Sequence, residues 1–258
     1  MAGKDHIKSI EKCFDILDCL HTNHHLLTLE EIVQITGHKK TTCFRLLKTM
    51  KTLGLVEMPP GKKSYRYGPR LAALGLNALK TMNLRQSALP ILQRLRDDTG
   101  ETINLTILSG SEILYVERIM SDYLVNVNVN VGDRLPVYCA SMGKAILAYL
   151  PEDRLERILE NMLFERKTDK TITTKSALLA ELERIKSKGF AINDEELEKG
   201  LRAVAAPIFN YTGEAFAATN IAWTTARNPS RKAFSTYAEK IVSAANQISL
   251  LMGHVPQR

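Results

Sequence analysis

The chain has 258 residues, 45% of them hydrophobic and 24% charged, with a net charge of +7. That balance supplies two ordinary cores and excludes an extended disordered chain, and no apolar run reaches the ~18 residues that a membrane-crossing helix needs. MAGKDHIKSIEK at the start lacks the apolar centre of a signal peptide, so a cytoplasmic protein with no membrane partner is expected.

The first helix is expected from about Ile7 to Leu20, with Ile10, Phe14 and Leu17 inward at helical spacing. It ends at His21-Thr22-Asn23-His24-His25, which reads as a polar turn, because a zinc site draws on further Cys or carboxylate ligands at defined spacing. Cys13, Cys19, Cys43 and Cys139 form no Cys-x-x-Cys pair and are expected to be reduced, structural thiols. No metal and no cofactor is expected.

Thr28-Leu29-Glu30-Glu31 is a capping box, opening a short helix with Leu29, Ile32 and Val33 inward and Gly37 as its stop. The following run, KKTTCFRLLKTM from Lys39 to Met50, reads as a second helix. Phe44, Leu47 and Met50 take its inner face, with Leu46 and Leu53 beside them, and Lys39, Lys40, Thr41, Thr42 and Arg45 stay outside. Gly54 ends the helix. Leu55 to Met58 and Ser64 to Tyr67 then form a hairpin around Pro59-Pro60-Gly61-Lys62-Lys63.

Helix, helix, turn, helix and hairpin is the order of a winged helix-turn-helix. Its expected partner is double-stranded DNA, with Thr41, Thr42 and Arg45 on bases and Lys39, Lys40, Lys62, Lys63 and Arg66 on phosphates; Lys48 completes the surface. A single Lys run is as well explained by a solvated helix face. Charge distribution separates the two readings, because residues 1–80 hold 13 Lys and Arg against 7 Asp and Glu, while the rest holds 22 against 21. Cations confined to the motif suit phosphate neutralisation.

Pro69 opens a connecting helix with Leu71, Leu74, Leu76 and Leu79, and another runs from about Leu84 to Thr99, closed by Gly100. The connector carries more apolar residues than one small domain covers, so a second copy of the chain is the expected partner, reading two half-sites ~34 Å apart. From Glu101 the period becomes two, with strands at Thr102–Leu108, Ile113–Ile119 and Leu124–Val131. After a bend from Gly132 to Pro136, a helix starts at Ser141, and others follow at Glu152–Met162 and Ser176–Lys188. Strands return at Phe190–Asn193, Ala203–Phe209 and Ala215–Trp223, before a final helix from Ser230 to Leu251. The fold class is therefore α+β, with helices packed on a mainly antiparallel sheet. Domains are expected at 1–68, 69–83 for the connector, and 84–258.

Four stretches carry a resemblance: KKTTCFRLLKTMKTLGLVE, GETINLTIL, GDRLPVYCASMGKAILAYL and DEELEKGLRAVAAPIFNYTGEAFAATNIA. Over nearly its full length the chain resembles the isocitrate lyase regulator (IclR) family of bacterial transcription regulators. The resemblance implies a GAF-like effector domain that binds a small metabolite, and a homodimer or dimer of dimers on operator DNA. It also implies pocket residues at Leu135, Ser141, Met142, Asn193, Leu201, Ala203, Asn220 and Ala222.

Read by themselves, Ser141, Met142 and Gly143 open a helix whose unpaired N–H groups suit a ligand carboxylate, or simply form a bare helix start. Cys139, next to this turn, is counted with the pocket. Asn193 and Asn220 among apolar walls suit a small hydroxylated or keto acid held by hydrogen bonds.

Enzyme readings fare worse. Gly143-Lys144 lacks the first Gly and the hydroxyl of a phosphate loop, Tyr138 and Ala145 standing in those places. No His lies between His38 and His254 to activate Cys139, and Asp194, Glu195, Glu196 and Glu198 read as a solvated loop. The expected function is a ligand-responsive DNA-binding regulator of a catabolic operon, acting as a repressor and sensing a small carboxylate. A small-molecule sensor working through protein contacts, with only non-specific DNA association, is the alternative.

Overall fold

The computed structural model describes residues 7–22, 26–81, 83–121, 129–227, 230 and 232–255. Two compact units divide the chain, residues 1–81 and 82–258. Asn23 to His25, within the histidine turn, lie outside the described residues, as does most of the strand expected at Leu124–Val131.

In the first unit, α1 (Lys8–Thr22), α2 (Leu29–Thr36) and α3 (Lys40–Thr52) pack together, with a three-stranded antiparallel sheet in the order β1 (Leu27–Thr28), β3 (Ser64–Tyr67), β2 (Val56–Glu57). The capping box at Thr28 forms as expected: the Thr28 hydroxyl accepts from Glu31 N, and the Glu31 carboxylate accepts from Thr28 N at 2.7 Å. Gly37 ends α2 at φ 67°, a left-handed conformation that glycine adopts without a Cβ penalty. Strand β1, two residues long, is too short to show a period and pairs Leu27 with Tyr65.

Two inward faces differ from expectation. On α3 the buried residues are Cys43, Leu47 and Met50, at i, i+4 and i+7, and Phe44 is 52% exposed. Cys43 behaves as a small hydrophobe and takes the place assigned to the larger ring. Leu53 is also exposed. On α1, Ile10 and Phe14 face water, and the core is built from Ile16, Leu17, Cys19 and Leu20. The helix is turned so that a full cluster around Ile32, Leu47 and Val56 closes over this second stripe.

Helix α4 (Pro69–Thr81), the expected connector, is counted with the first unit. Its start is fixed by a close approach: a Cβ on Gly68 would overlap the Gly54 carbonyl, and Arg70 donates to the Leu53 carbonyl at 3.1 Å.

The second unit is a six-stranded, wholly antiparallel sheet in the order β6-β5-β4-β9-β8-β7. These strands are β4 (Thr102–Ser109), β5 (Glu112–Ile119), β6 (Arg134–Pro136), β7 (Ala191–Asp194), β8 (Leu201–Phe209) and β9 (Ala215–Thr224). Strand β6 occupies the expected bend and closes one edge against β5. Helices α5 (Asn83–Thr99) and α9 (Lys232–Leu251) cover one face, and α6 (Ser141–Leu147), backed by α7 (Glu152–Glu160) and α8 (Lys175–Lys188), the other. An antiparallel sheet with helices on both faces is the α+β class expected.

The cap makes a direct test. Thr28→Ala should cost about 1 kcal/mol in the unfolding of the first unit, and Thr28→Ser should restore most of it, read by denaturant titration of the full chain.

Candidate DNA-binding surface and ligand cavity

Helix α3 begins without a cap. Lys39 makes no side-chain bond to the first turn, and that turn holds no acidic residue, whereas α2 carries Glu30 and Glu31 there. The positive dipole end of α3 therefore meets no carboxylate or cap from its own first turn, a setting that favours an anion. Lys39, Lys40, Thr41, Arg45 and Lys48 are exposed, as are Lys62 and Lys63 at the hairpin tip, while Thr42 is half-buried. Two of the expected phosphate ligands are already engaged: Lys40 pairs with Glu30 at 2.6 Å, and Arg66 with Glu57 at 2.6 Å. The Lys40 ammonium holds the Glu30 carboxyl below its ordinary range.

In the second unit a cavity of about 330 Å³ opens between the sheet and α6. Strand register explains its floor. Asn193, Ala203, Ala222 and Thr102 stand side by side across β7, β8, β9 and β4, and Asn220, Asn104 and Arg118 form the next row on that face. Alanines in the first row leave the space that larger side chains would fill.

Of the ten residues expected at the pocket, Ser141, Met142, Asn193, Leu201, Ala203, Asn220 and Ala222 line this cavity. Leu135, Cys139 and Gly143 do not. Leu135 sits on β6 and packs into the core around α6. Cys139 is buried, and burial first and Glu196 second push its thiol up to about 11, which keeps it protonated and unreactive. Gly143 faces backward, where a Cβ would overlap the Val137 backbone. It lets α6 press on the chain that leads into it. Helix α6 spans only seven residues, which leaves little dipole for an anion.

Asn193 is a wall with its hydrogen bonds committed elsewhere. Its amide donates to the Cys139 carbonyl at 2.9 Å and accepts from Glu196 N at 3.0 Å. Next to it Lys144, fully buried, donates to both Glu196 oxygens at 2.6 and 2.7 Å. Burial raises the Glu196 carboxyl, and Lys144 opposes the rise.

Sequence reasoning missed Asn104, Glu101, Arg118 and Arg227, all of which line the cavity. Asn104 donates to the Asn220 side chain at 2.8 Å, and its own Oδ1 is buried with no hydrogen-bond partner among the described residues. The one available signal was a polar residue between Ile103 and Leu105 in an apolar strand. Burial raises the Glu101 carboxyl against the pull of Arg227, which pairs with it at 3.2 Å, and of the Tyr237 hydroxyl. The Arg118 guanidinium is held below its ordinary range by burial.

Residues 76–250 match the family model for the C-terminal domain of the bacterial transcriptional regulator IclR, and residues 9–60 match the IclR helix-turn-helix domain. The chain belongs to the IclR family of transcription regulators. It is 34% identical to the HTH-type transcriptional regulator KdgR of Escherichia coli, over 97% of this chain and 94% of that one. Among solved structures, a putative transcriptional regulator, RHA06195 from Rhodococcus sp. RHA1, is 31% identical with a TM-score of 0.78, covering 96% of this chain and 98% of its own. The IclR regulator from Alicyclobacillus acidocaldarius is 27% identical with a TM-score of 0.84, covering 96% and 100%. These relatives are regulators and not enzymes, and the IclR chain described here is a DNA-binding transcription regulator.

The buried pair behind the cavity should betray itself in a mutant cycle. Lys144→Met leaves Glu196 buried without its cation and should cost about 3–5 kcal/mol, while Lys144→Met combined with Glu196→Met should recover much of that loss. Thermal unfolding of the full chain reads both.

Proposed function

We propose that the chain switches a catabolic operon in response to a small hydroxylated organic acid held in the sheet cavity, and that it works as a dimer. The observation that carries the ligand class is the orphaned Oδ1 of Asn104 on a floor shared with Arg118. A buried acceptor calls for a donor, and a ligand hydroxyl supplies one, which a keto group does not. Arg118, already partly stripped of water, favours a carboxylate nearby. A volume of about 330 Å³ suits a molecule of sugar-acid or small aromatic-acid size. The exposed stripe of Ile7, just before α1, with Ile10 and Phe14 on the helix, supports a second copy as partner.

Ligand binding favours one arrangement of the effector domains, and through the helices 69–99 it changes the spacing of two recognition helices. Only a difference in ligand affinity between the two arrangements can do this. Thr41, Thr42 and Arg45 read bases, and Lys39, Lys62 and Lys63 take phosphates, with Lys40 and Arg66 exchanging their carboxylate partners for phosphate.

Thermal-shift screening of the full chain against hydroxy acids and their deoxy analogues tests the sensor. A stabilising hydroxy acid should lose roughly tenfold or more in affinity with Arg118→Gln, and Asn104→Ala should erase the preference over the deoxy analogue. A panel without a hit counts against the ligand class.

On DNA, Arg45→Ala should cost about 1–3 kcal/mol and relax sequence preference, while Lys63→Ala should weaken all duplexes alike and flatten the salt dependence. Anisotropy titrations over a salt series distinguish the two. Equal losses on specific and random DNA from Arg45→Ala would remove that residue from base reading.

A further inference from the structure

Phe44 stands outside the core of its unit, on the recognition helix, with 52% of its surface exposed. At ~100° per residue, Phe44, Lys48, Thr41 and Arg45 occupy one arc of about 100° on α3, turned away from Cys43, Leu47 and Met50. Lys40, Thr41 and Lys48, at i−4, i−3 and i+4, are its neighbours along that surface. All three are exposed.

Half a phenyl ring in water is unfavourable unless something covers it when the protein is at work. A protein partner is a poor cover here, since it would bury two lysines, which are depleted from interface cores. Duplex DNA is a good one, because the same cations meet phosphates. The major-groove edge of a base pair offers one apolar group, the C5-methyl of thymine.

We propose that Phe44 reads thymine, its ring packing on a C5-methyl in the major groove beside the bases met by Thr41 and Arg45. This rests on the DNA-binding role assigned above to α3 and adds to it an apolar, methyl-sensing contact. Specificity at that position comes from one methyl group and not from a hydrogen bond. Phe44 is not among the buried residues of the core cluster, so its truncation should largely spare the fold, which thermal unfolding of Phe44→Ala would check.

The experiment starts from duplexes selected by the full-length wild-type chain out of a random library. Each thymine of the selected sequence is then replaced singly by uracil, which removes the methyl and keeps every hydrogen-bonding group. Wild type should lose roughly fourfold in affinity at one thymine of each half-site, the effect expected for one buried methyl. Phe44→Ala should bind the thymine duplex more weakly and no longer distinguish it from the uracil duplex, with Phe44→Leu between the two.

Wild type indifferent to uracil at every position, a selected sequence without thymine, or an unchanged thymine-to-uracil ratio in Phe44→Ala would each overturn the proposal. So would Phe44→Ala changing only the sedimentation of the free protein, which would give the ring to a second copy. Failure of the wild-type chain to select any duplex would instead strike the DNA-binding role of α3, and this proposal with it.

Discussion

A buried ion pair stands behind the sheet cavity. Lys144 reaches from α6 to Glu196 in the turn after β7, and Asn193 ties the same turn to the chain entering α6. Two segments about fifty residues apart are pinned at one point, and Ala203 of β8 and Ala222 of β9 line the cavity in front of them. A pair of this kind adds little net stability, because desolvation offsets most of the attraction, but it penalises any packing that parts the two charges. The pair thus fixes the packing behind a cavity whose floor of alanines is set by strand register.

The first unit solves a different problem. Its hydrophobic cluster is small, so its helices must be placed by local devices: the capping box at Thr28, the left-handed Gly37 and the close contact of Gly68 with Gly54. Those devices set where α3 begins, and α3 begins without a carboxylate or a cap of its own. Its polar start is the surface that the local architecture leaves unspent.

What could be read from the sequence follows the range of the interactions involved. The capping box, the hairpin and the limits of α3 depend on neighbours within a few residues, and all are found where the pattern places them. Phe44 and Phe14 were misplaced because periodicity weighs a residue by its size, while the core took the smaller Cys43 and the second stripe of α1. Asn104 was hidden for another reason. Its partner Asn220 lies 116 residues away, and only the β4–β9 register brings the two amides together. Seven of the ten expected pocket residues do line the cavity, while Gly143 and Cys139 stand one layer behind it, carrying the packing that the wall requires.

The pairs Lys40–Glu30 and Arg66–Glu57 have a further consequence for the DNA surface. If Lys40 and Arg66 take phosphates as proposed, Glu30 and Glu57 hold the places those oxygens would fill. A cation that exchanged its carboxylate for a phosphate would trade one anion for another and free fewer bound ions than an unpaired lysine. Counting ions released on binding would then understate how many side chains touch the double helix. The same exchange would make loose, unsequenced encounters less rewarding, since a weak contact has to evict a resident before it gains anything.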